Sequence, residues 1–364
     1  MIDTVILDLP RARVKLKEGE QWDLISKMEY YSKYIKNPTK EQRELNYYPR
    51  LSGIYTKGKE SVVKIEFSAP KIIYSNNLDE LLDDDFENLL SLLQTRLREM
   101  GIIVLKKSLA EAGVSAVHYS KNIKIDSGYT TSHIISELSK VNLNKDSDLT
   151  KTRFMNSGES LQGYAISNSF VFYDKISDLK RSKKKSIDKE QTKCQTSLFN
   201  NLKKYEVLRF EVRLSQKRKL NSMFKKLGYP SNPTFKDVFS YTKSVRVLNF
   251  YWNEKIDKDR YVLFTQRESA ESILRQILAY KPNIKPSKAL SMLGLMLYAK
   301  DNENGLRALR AIFEKNSTDR TWYKTIGTLR ELANATSKSN ELDWYLEITR
   351  ELRNYKPLRL EDIS

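Results

Sequence analysis

Cysteine is almost missing from this chain of 364 residues: Cys194 stands alone. No disulfide framework and no cysteine-based zinc site can form within the chain, a usage that fits a reducing compartment. The N-terminus does not read as a secretory leader either. The opening MIDTVILDLPRARVKL carries Asp3 and Asp8 inside its apolar stretch, where a signal peptide has an uncharged core. The longest membrane-like run, Leu290–Ala299, is half of the roughly 20 residues a bilayer span needs. There is no Gly-rich phosphate loop and no internal repeat. The expectation is a soluble, cytoplasmic protein with no membrane partner.

What is present is positive charge. Lys and Arg number 64 against 46 Asp and Glu, a net charge of +18. Residues 175–226 hold 17 basic and 5 acidic residues, so +12 of that excess sits in one stretch. A concentrated basic surface of this kind suits a polyanion such as a phosphate backbone. Hydrophobic residues at 40% and aromatics at 10% are enough for a packed core.

Length suggests two domains, or one large domain with a smaller appendage; the boundary is expected near residue 230. Residues 1–230 read as α+β, with a central, mostly antiparallel sheet packed on helices. Strands are expected at 1–9, 51–56, 61–69, 102–106, 114–125, 164–173 and 207–214. Helices are expected at 83–100, 131–141 and 195–204, and Tyr30–Tyr34 reads as helical. The acidic run Asp83–Asp85 suits the positive end of a helix dipole better than it suits a metal. Residues 231–364 show apolar residues at helical spacing and read as a mainly helical accessory domain. A helix-turn-helix fits within Pro286–Lys315, though a plain helical bundle explains the same pattern.

Side chains alternate faces along a strand. Val63, Ile65 and Phe67 therefore share one face, and Lys64, Glu66 and Ser68 the other. Val117, Tyr119 and Ile123 oppose Ala116, His118, Ser120 and Asn122. Phe170 and Phe172 oppose Ser169, Val171 and Tyr173. Leu208, Phe210, Val212 and Leu214 oppose Arg209, Glu211 and Arg213. If the apolar faces pack on helices, Glu66, His118, Tyr173 and Glu211 converge on the other side of the sheet. Two carboxylates and a histidine suit Mg²⁺ or Mn²⁺. A tyrosine beside them can attack phosphorus and form a covalent ester. Its own pKa is near 10, so a neighbouring cation such as Lys175 would help deprotonate it. Each residue also has a plain reading: a hydrogen-bonded structural histidine, a surface ion pair at Glu211, one tyrosine among 21.

The order of these segments resembles the replication initiators of filamentous phages, the gene II protein type, and related plasmid proteins. The likeness covers roughly residues 1–230. It is carried by MIDTVILDLP, KIEFSAPKIIYSNN (64–77), VSAVHYSKNI (114–123), FVFYDK (170–175) and LRFEVRLSQKRKL (208–220). The resemblance implies a rolling-circle initiator that nicks one strand at an origin and rejoins it later. Tyr173 would be the nucleophile and Lys175 its phosphate or tyrosinate partner. His118 and Glu211, with Glu66 as a third, would hold the metal. The basic residues expected to meet DNA are Lys121, Lys180, Arg181, Arg209, Arg213, Lys217 and Arg218. A host helicase and polymerase would be partners. One departure stands out: the wider nickase group often uses two histidines separated by a single hydrophobic residue, whereas His118 and His133 are fifteen positions apart. The residues alone leave open a non-catalytic origin binder, a relaxase or transposase, and an RNA-binding protein.

Overall fold

The alternating strands assemble, in a computed structural model, into a single ten-stranded sheet. The structure describes residues 1–57, 61–141, 153–155, 160–180, 205–259, 269–302, 309–310, 312–313, 318, 320–327 and 342–363. The strands are β1 (Ile2–Pro10), β2 (Lys15–Leu16), β3 (Asp23–Met28), β4 (Tyr31–Lys36), β5 (Arg50–Thr56), β6 (Val62–Ser68), β7 (Ile102–Ile103), β8 (Gly113–Lys124), β9 (Arg153–Met155), β10 (Ser160–Ala165), β11 (Asn168–Asp174) and β12 (Val207–Leu214). The order across the large sheet is β3-β4-β5-β6-β1-β8-β12-β11-β10-β9, and β2 pairs with β7 apart from it. Every neighbouring pair is antiparallel. The fold is α+β with a mostly helical C-terminal region, as the periodicities predict.

One face of the sheet is apolar throughout its centre. Val5, Leu7 and Leu9 of β1, Val63, Ile65 and Phe67 of β6, and Val117 and Tyr119 of β8 are buried there. Phe172 and Phe210, register partners on β11 and β12, stack on each other at 4.5 Å between ring centroids. The edge of the Trp252 indole meets both rings. This pairing locks the register. A one-residue slip would turn Phe172 out and drive Tyr173 into the core.

Helices cover the apolar face. Phe86–Glu99 buries Leu89, Leu90, Leu93 and Leu97 along one stripe. It opens on the Asp83–Asp85 turn and stops at Gly101, whose φ of 79° favours glycine. Tyr241–Lys255 and Lys217–Lys226 pack on β8 and β12, and Asp343–Arg353 packs on β8 and on Tyr241–Lys255.

Several local expectations are corrected. The segment around Tyr30–Tyr34 is not helical: β3 and β4 form a hairpin there, because the aromatic and β-branched residues 31–35 sit better on a pleated surface. The expected strand 164–173 is a hairpin that turns between Ala165 and Asn168. The strand at 102–106 shrinks to Ile102–Ile103. The helix expected at 195–204 lies outside the described residues. The main core also crosses residue 230. Phe235, Val247, Trp252, Trp344, Tyr345 and Leu352 belong to the same cluster as the sheet residues. A second cluster holds Ile273, Ile277, Met292, Met296, Trp322 and Ile326, and a third joins Leu78, Ile176, Val207, Leu358 and Ile363. Among the described residues no helix is long and apolar enough to cross a membrane.

Candidate active site

The polar face of the sheet concentrates its chemistry on three adjacent strands. On β12, Arg209, Glu211 and Arg213 point away from the core by alternation. Register sets Arg209 opposite Asn122, Glu211 opposite Ser120 and Arg213 opposite His118 on β8. On the other side, Tyr173 of β11 lies opposite Arg209. The next residue, Asp174, ends β11. Its carboxylate accepts from the Ser177 N–H at 2.9 Å and so caps the turn into the helix Lys175–Lys180.

Glu211 is the hub, with 2% of its surface exposed. The Arg213 Nε donates to its Oε1 at 2.8 Å, and His118 Nδ1 stands 3.4 Å from the same oxygen. The Tyr173 hydroxyl donates to Oε2 at 3.3 Å, and Arg209 Nε lies 3.8 Å from it. Burial works against the carboxylate's charge, but Arg213, the His118 hydrogen bond and Arg209 outweigh it and hold Glu211 well below the usual carboxylate range. Burial pushes the Tyr173 phenol well above its ordinary value, and Arg209 only partly offsets this. The resting pair is thus a neutral phenol hydrogen-bonded to a carboxylate.

The structure brings Tyr173, His118 and Glu211 together, as alternation predicts, and leaves Glu66 out. Glu66 lies on β6, three strand spacings or about 14 Å from β12, and pairs with Arg50 at 3.0 Å. Its expected metal role is therefore not supported by position. Among the described residues no three His, Cys, Asp or Glu side chains are grouped to hold an ion. Glu211 beside His118 is paired with Arg213, and Asp3 with Arg209, so Mg²⁺ or Mn²⁺ at these donors would have to displace a guanidinium. His133, the other histidine, is exposed on the helix Thr131–Ser139 and stacks on Tyr129.

Three expected DNA-facing or catalytic cations are corrected by their burial. Arg209 is 1% exposed. It donates to Ser120 Oγ at 2.9 Å and to the Asn77 carbonyl at 2.7 Å, and its Nη2 stands 2.8 Å from Asp3 Oδ1. Lys121 belongs to the core side of β8. Its Nζ donates to Glu80 Oε2 at 3.1 Å and lies 4.9 Å from the Tyr355 ring centroid. Neither side chain reaches solvent, so neither can meet a phosphate. Lys175 is fully buried, donates to Asn77 Oδ1 at 2.8 Å, and sits 5.9 Å from the centre of the Tyr173 ring rather than on its oxygen. Burial, helped by Arg209, pulls its pKa down to about 7.

Lys217 and Arg218 are exposed at the start of the helix Lys217–Lys226, and Arg213 is one-third exposed. These remain available to a polyanion. The Lys180 side chain and Arg181, with most of the basic run that follows, lie outside the described residues.

Two site residues escaped the sequence reading. Asp3 reaches Arg209 from β1, and its carboxyl is held down by Arg209 against the effect of burial. Asn77 receives Lys175 and Arg209 together. An acid embedded in an otherwise apolar strand was the available signal for Asp3; Asn77 had none beyond its turn.

No protein-family model, no curated protein and no solved structure matches this chain.

Proposed function

We propose that the chain nicks and rejoins single-stranded DNA through Tyr173, as a rolling-circle replication initiator resembling the gene II type. The observation that carries this reading is the Tyr173 hydroxyl bonded to Glu211 at 3.3 Å, with His118 at 3.4 Å on the other oxygen of the same carboxylate. A nucleophile, an acceptor for its proton and a second titratable group stand together on the polar face of a sheet in a chain of net charge +18.

In this reaction the Tyr173 oxygen attacks phosphorus and the bond to the 3′ oxygen breaks. The 5′ phosphate stays on the tyrosine. The phenol proton passes to Glu211, and His118 supplies a proton to the departing 3′ oxygen. The reverse attack by a 3′ hydroxyl rejoins the strand without ATP, since one phosphate ester replaces another. Before DNA arrives, Arg213 and Arg209 hold Glu211 too acidic to take the proton, so the nucleophile is silent. A phosphate that competes for Arg213 weakens that hold and raises the proton affinity of Glu211. No step runs through Mg²⁺ or Mn²⁺; the guanidinium of Arg213 supplies positive charge at the phosphate instead. A host helicase and polymerase would act on the opened origin.

A non-catalytic origin-binding protein is the second reading. The closed pairing of Glu211 with Arg213 and Arg209 favours it, because such a network also has a purely structural use. The two separate in one experiment. The protein is incubated with supercoiled and single-stranded origin DNA, with Mg²⁺, with Mn²⁺ and with chelator, and resolved under denaturing conditions. The nickase reading requires a covalent protein–DNA adduct that Tyr173→Phe abolishes while DNA binding persists. Cleavage without an adduct, or no cleavage at all, defeats it.

A further inference from the structure

A basic band leaves the neighbourhood of Glu211 and runs onto the outer surface of the helical layer. Arg213, beside Glu211, is one-third exposed. β12 ends at the next residue, Leu214, and Lys217 and Arg218 stand exposed at the start of the helix that follows. That helix, Lys217–Lys226, extends the band by about 15 Å. Lys225 and Lys226 are exposed at its far end. Residues 217–250 hold eight basic side chains and one acid, Asp237, so ion pairs within the segment cannot cancel its charge.

At the far end the cations rest on rings. Lys226 Nζ lies 4.5 Å from the ring centroid of Phe250 on the helix Tyr241–Lys255. Arg246 Cζ lies 5.0 Å from the Tyr229 centroid, and its Nη1 donates to the Tyr229 hydroxyl at 3.0 Å. Lys243 Nζ stands 5.4 Å from the same ring and donates to the Asp237 main-chain carbonyl. The Asp237 carboxylate accepts from the Thr234 N–H and hydroxyl. Among the described residues, Lys226 and Arg246 therefore meet rings and a neutral oxygen but no carboxylate. Arg209 and Lys121, by contrast, are each paired with a buried acid. A ring face holds a long cationic side chain in place and leaves its charge whole.

These features select the partner. A single-strand binder offers free aromatic faces to unstacked bases. Phe250 and Tyr229 already carry cations, so contact here runs through phosphates. An anionic bilayer draws on apolar side chains as well as charge. No large hydrophobic side chain between residues 217 and 255 is exposed, so this surface has nothing to insert. A duplex presents one negative charge per ~1.7 Å of its axis and needs neither stacking nor insertion.

We propose that the band from Lys217 to Lys226 and Arg246 docks the phosphate backbone of duplex DNA beside the Tyr173 site, without reading its sequence. The proposal rests on the reading of the chain as a DNA binder and is independent of nicking.

The test uses the full chain with both Lys226→Gln and Arg246→Gln, two exposed positions remote from Tyr173. Binding is followed by fluorescence anisotropy against salt, with a labelled duplex of arbitrary sequence and with one of its strands alone. Flotation with phosphatidylserine–phosphatidylcholine vesicles is measured alongside. The double variant should lower the salt slope for the duplex by about two and weaken duplex binding about ten-fold. Affinity for the single strand should stay as it is. Exchanging the cations, Lys226→Arg with Arg246→Lys, should preserve the slope. Urea midpoints establish that the variants are folded, and each single glutamine variant, expected to lower the slope by about one, repeats the test should the double variant fold poorly. An unchanged duplex slope in a folded variant, an equal loss on the single strand, or vesicle binding without duplex binding overturns the proposal. The two readings fail separately. A Tyr173 adduct with an unchanged duplex slope sinks the docking band alone, and a lowered duplex slope without an adduct in the parent protein sinks nicking alone.

Discussion

Arg209 on β12 reaches across β8 to Asp3 on β1, with Nη2 2.8 Å from Oδ1. One guanidinium thereby ties three adjacent strands at the site, since Ser120 and Asn122 of β8 accept from it as well. Both charges are buried, so removing either leaves the other without its counter-charge. Such a loss costs about 3–5 kcal/mol for an isolated pair. Arg209 keeps other acceptors, which sets the lower end of that range.

Asp3→Asn is expected to destabilise the protein by about 3 kcal/mol. Urea unfolding should show a lower midpoint with an unchanged slope. A midpoint equal to that of the parent protein would mean that Arg209 does not depend on Asp3.

The acid side of the stability profile follows from the same network. Asp3 and Glu211 have folded pKa values below their unfolded ones, so the unfolded chain binds protons first. Their stabilisation is complete above about pH 4–5, near the unfolded values, and is lost as pH falls through the folded values. Glu211→Gln should flatten the loss of stability between pH 5 and pH 3, measured as urea midpoints against the parent protein.

Lys175 produces a dependence at the alkaline end. Its folded pKa is pulled down to about 7, against about 10.4 when unfolded. Between these values the unfolded chain again holds more protons, so stability rises with pH over that window. The gain amounts to about 4 kcal/mol by linkage. In Lys175→Met this rise between pH 7 and pH 10 should vanish. A rise of equal size in the variant would show that Lys175 is charged in the folded protein throughout.

Under the proposed function, burial also divides the basic residues by their expected effect on DNA binding. Lys217→Ala and Arg218→Ala should each weaken binding across all sequences and lower the salt slope by about one. Lys121→Met should leave the salt slope alone and instead lower stability by about 3 kcal/mol, because Glu80 loses its buried partner. Salt titrations of affinity, paired with urea unfolding, separate the two effects.

Gly163 on β10 tests the sheet itself. A Cβ there would stand 2.5 Å from the Phe170 ring of its register partner. Gly163→Val is expected to cost about 1–3 kcal/mol by overpacking. Reduced stability with retained DNA binding at Lys217 and Arg218 would be the signature.

Much of the site could be read from alternation. The period of two along β8, β11 and β12 assigns His118, Tyr173 and Glu211 to one face before any pairing is known. It also assigns Lys121 to the face of Tyr119 and Ile123, which is the buried face of β8 despite the charge. The Tyr31–Lys36 strand was not legible, because polar residues on both sides of a hairpin edge leave no clean alternation. Asp3 was visible as an acid among apolar residues, but its partner was not.

The sequence by itself determined which side chains share a face, where the main helices and strands run, and that the protein carries a large positive excess. Those properties follow from backbone geometry and composition, which are local. Only the tertiary structure decided that β12 lies between β8 and β11, that Glu66 is too distant from Glu211 to share an ion, and that Arg209, Lys121 and Lys175 are shut away from solvent. Strand order and burial depend on contacts between residues far apart in the chain, and no local period encodes them.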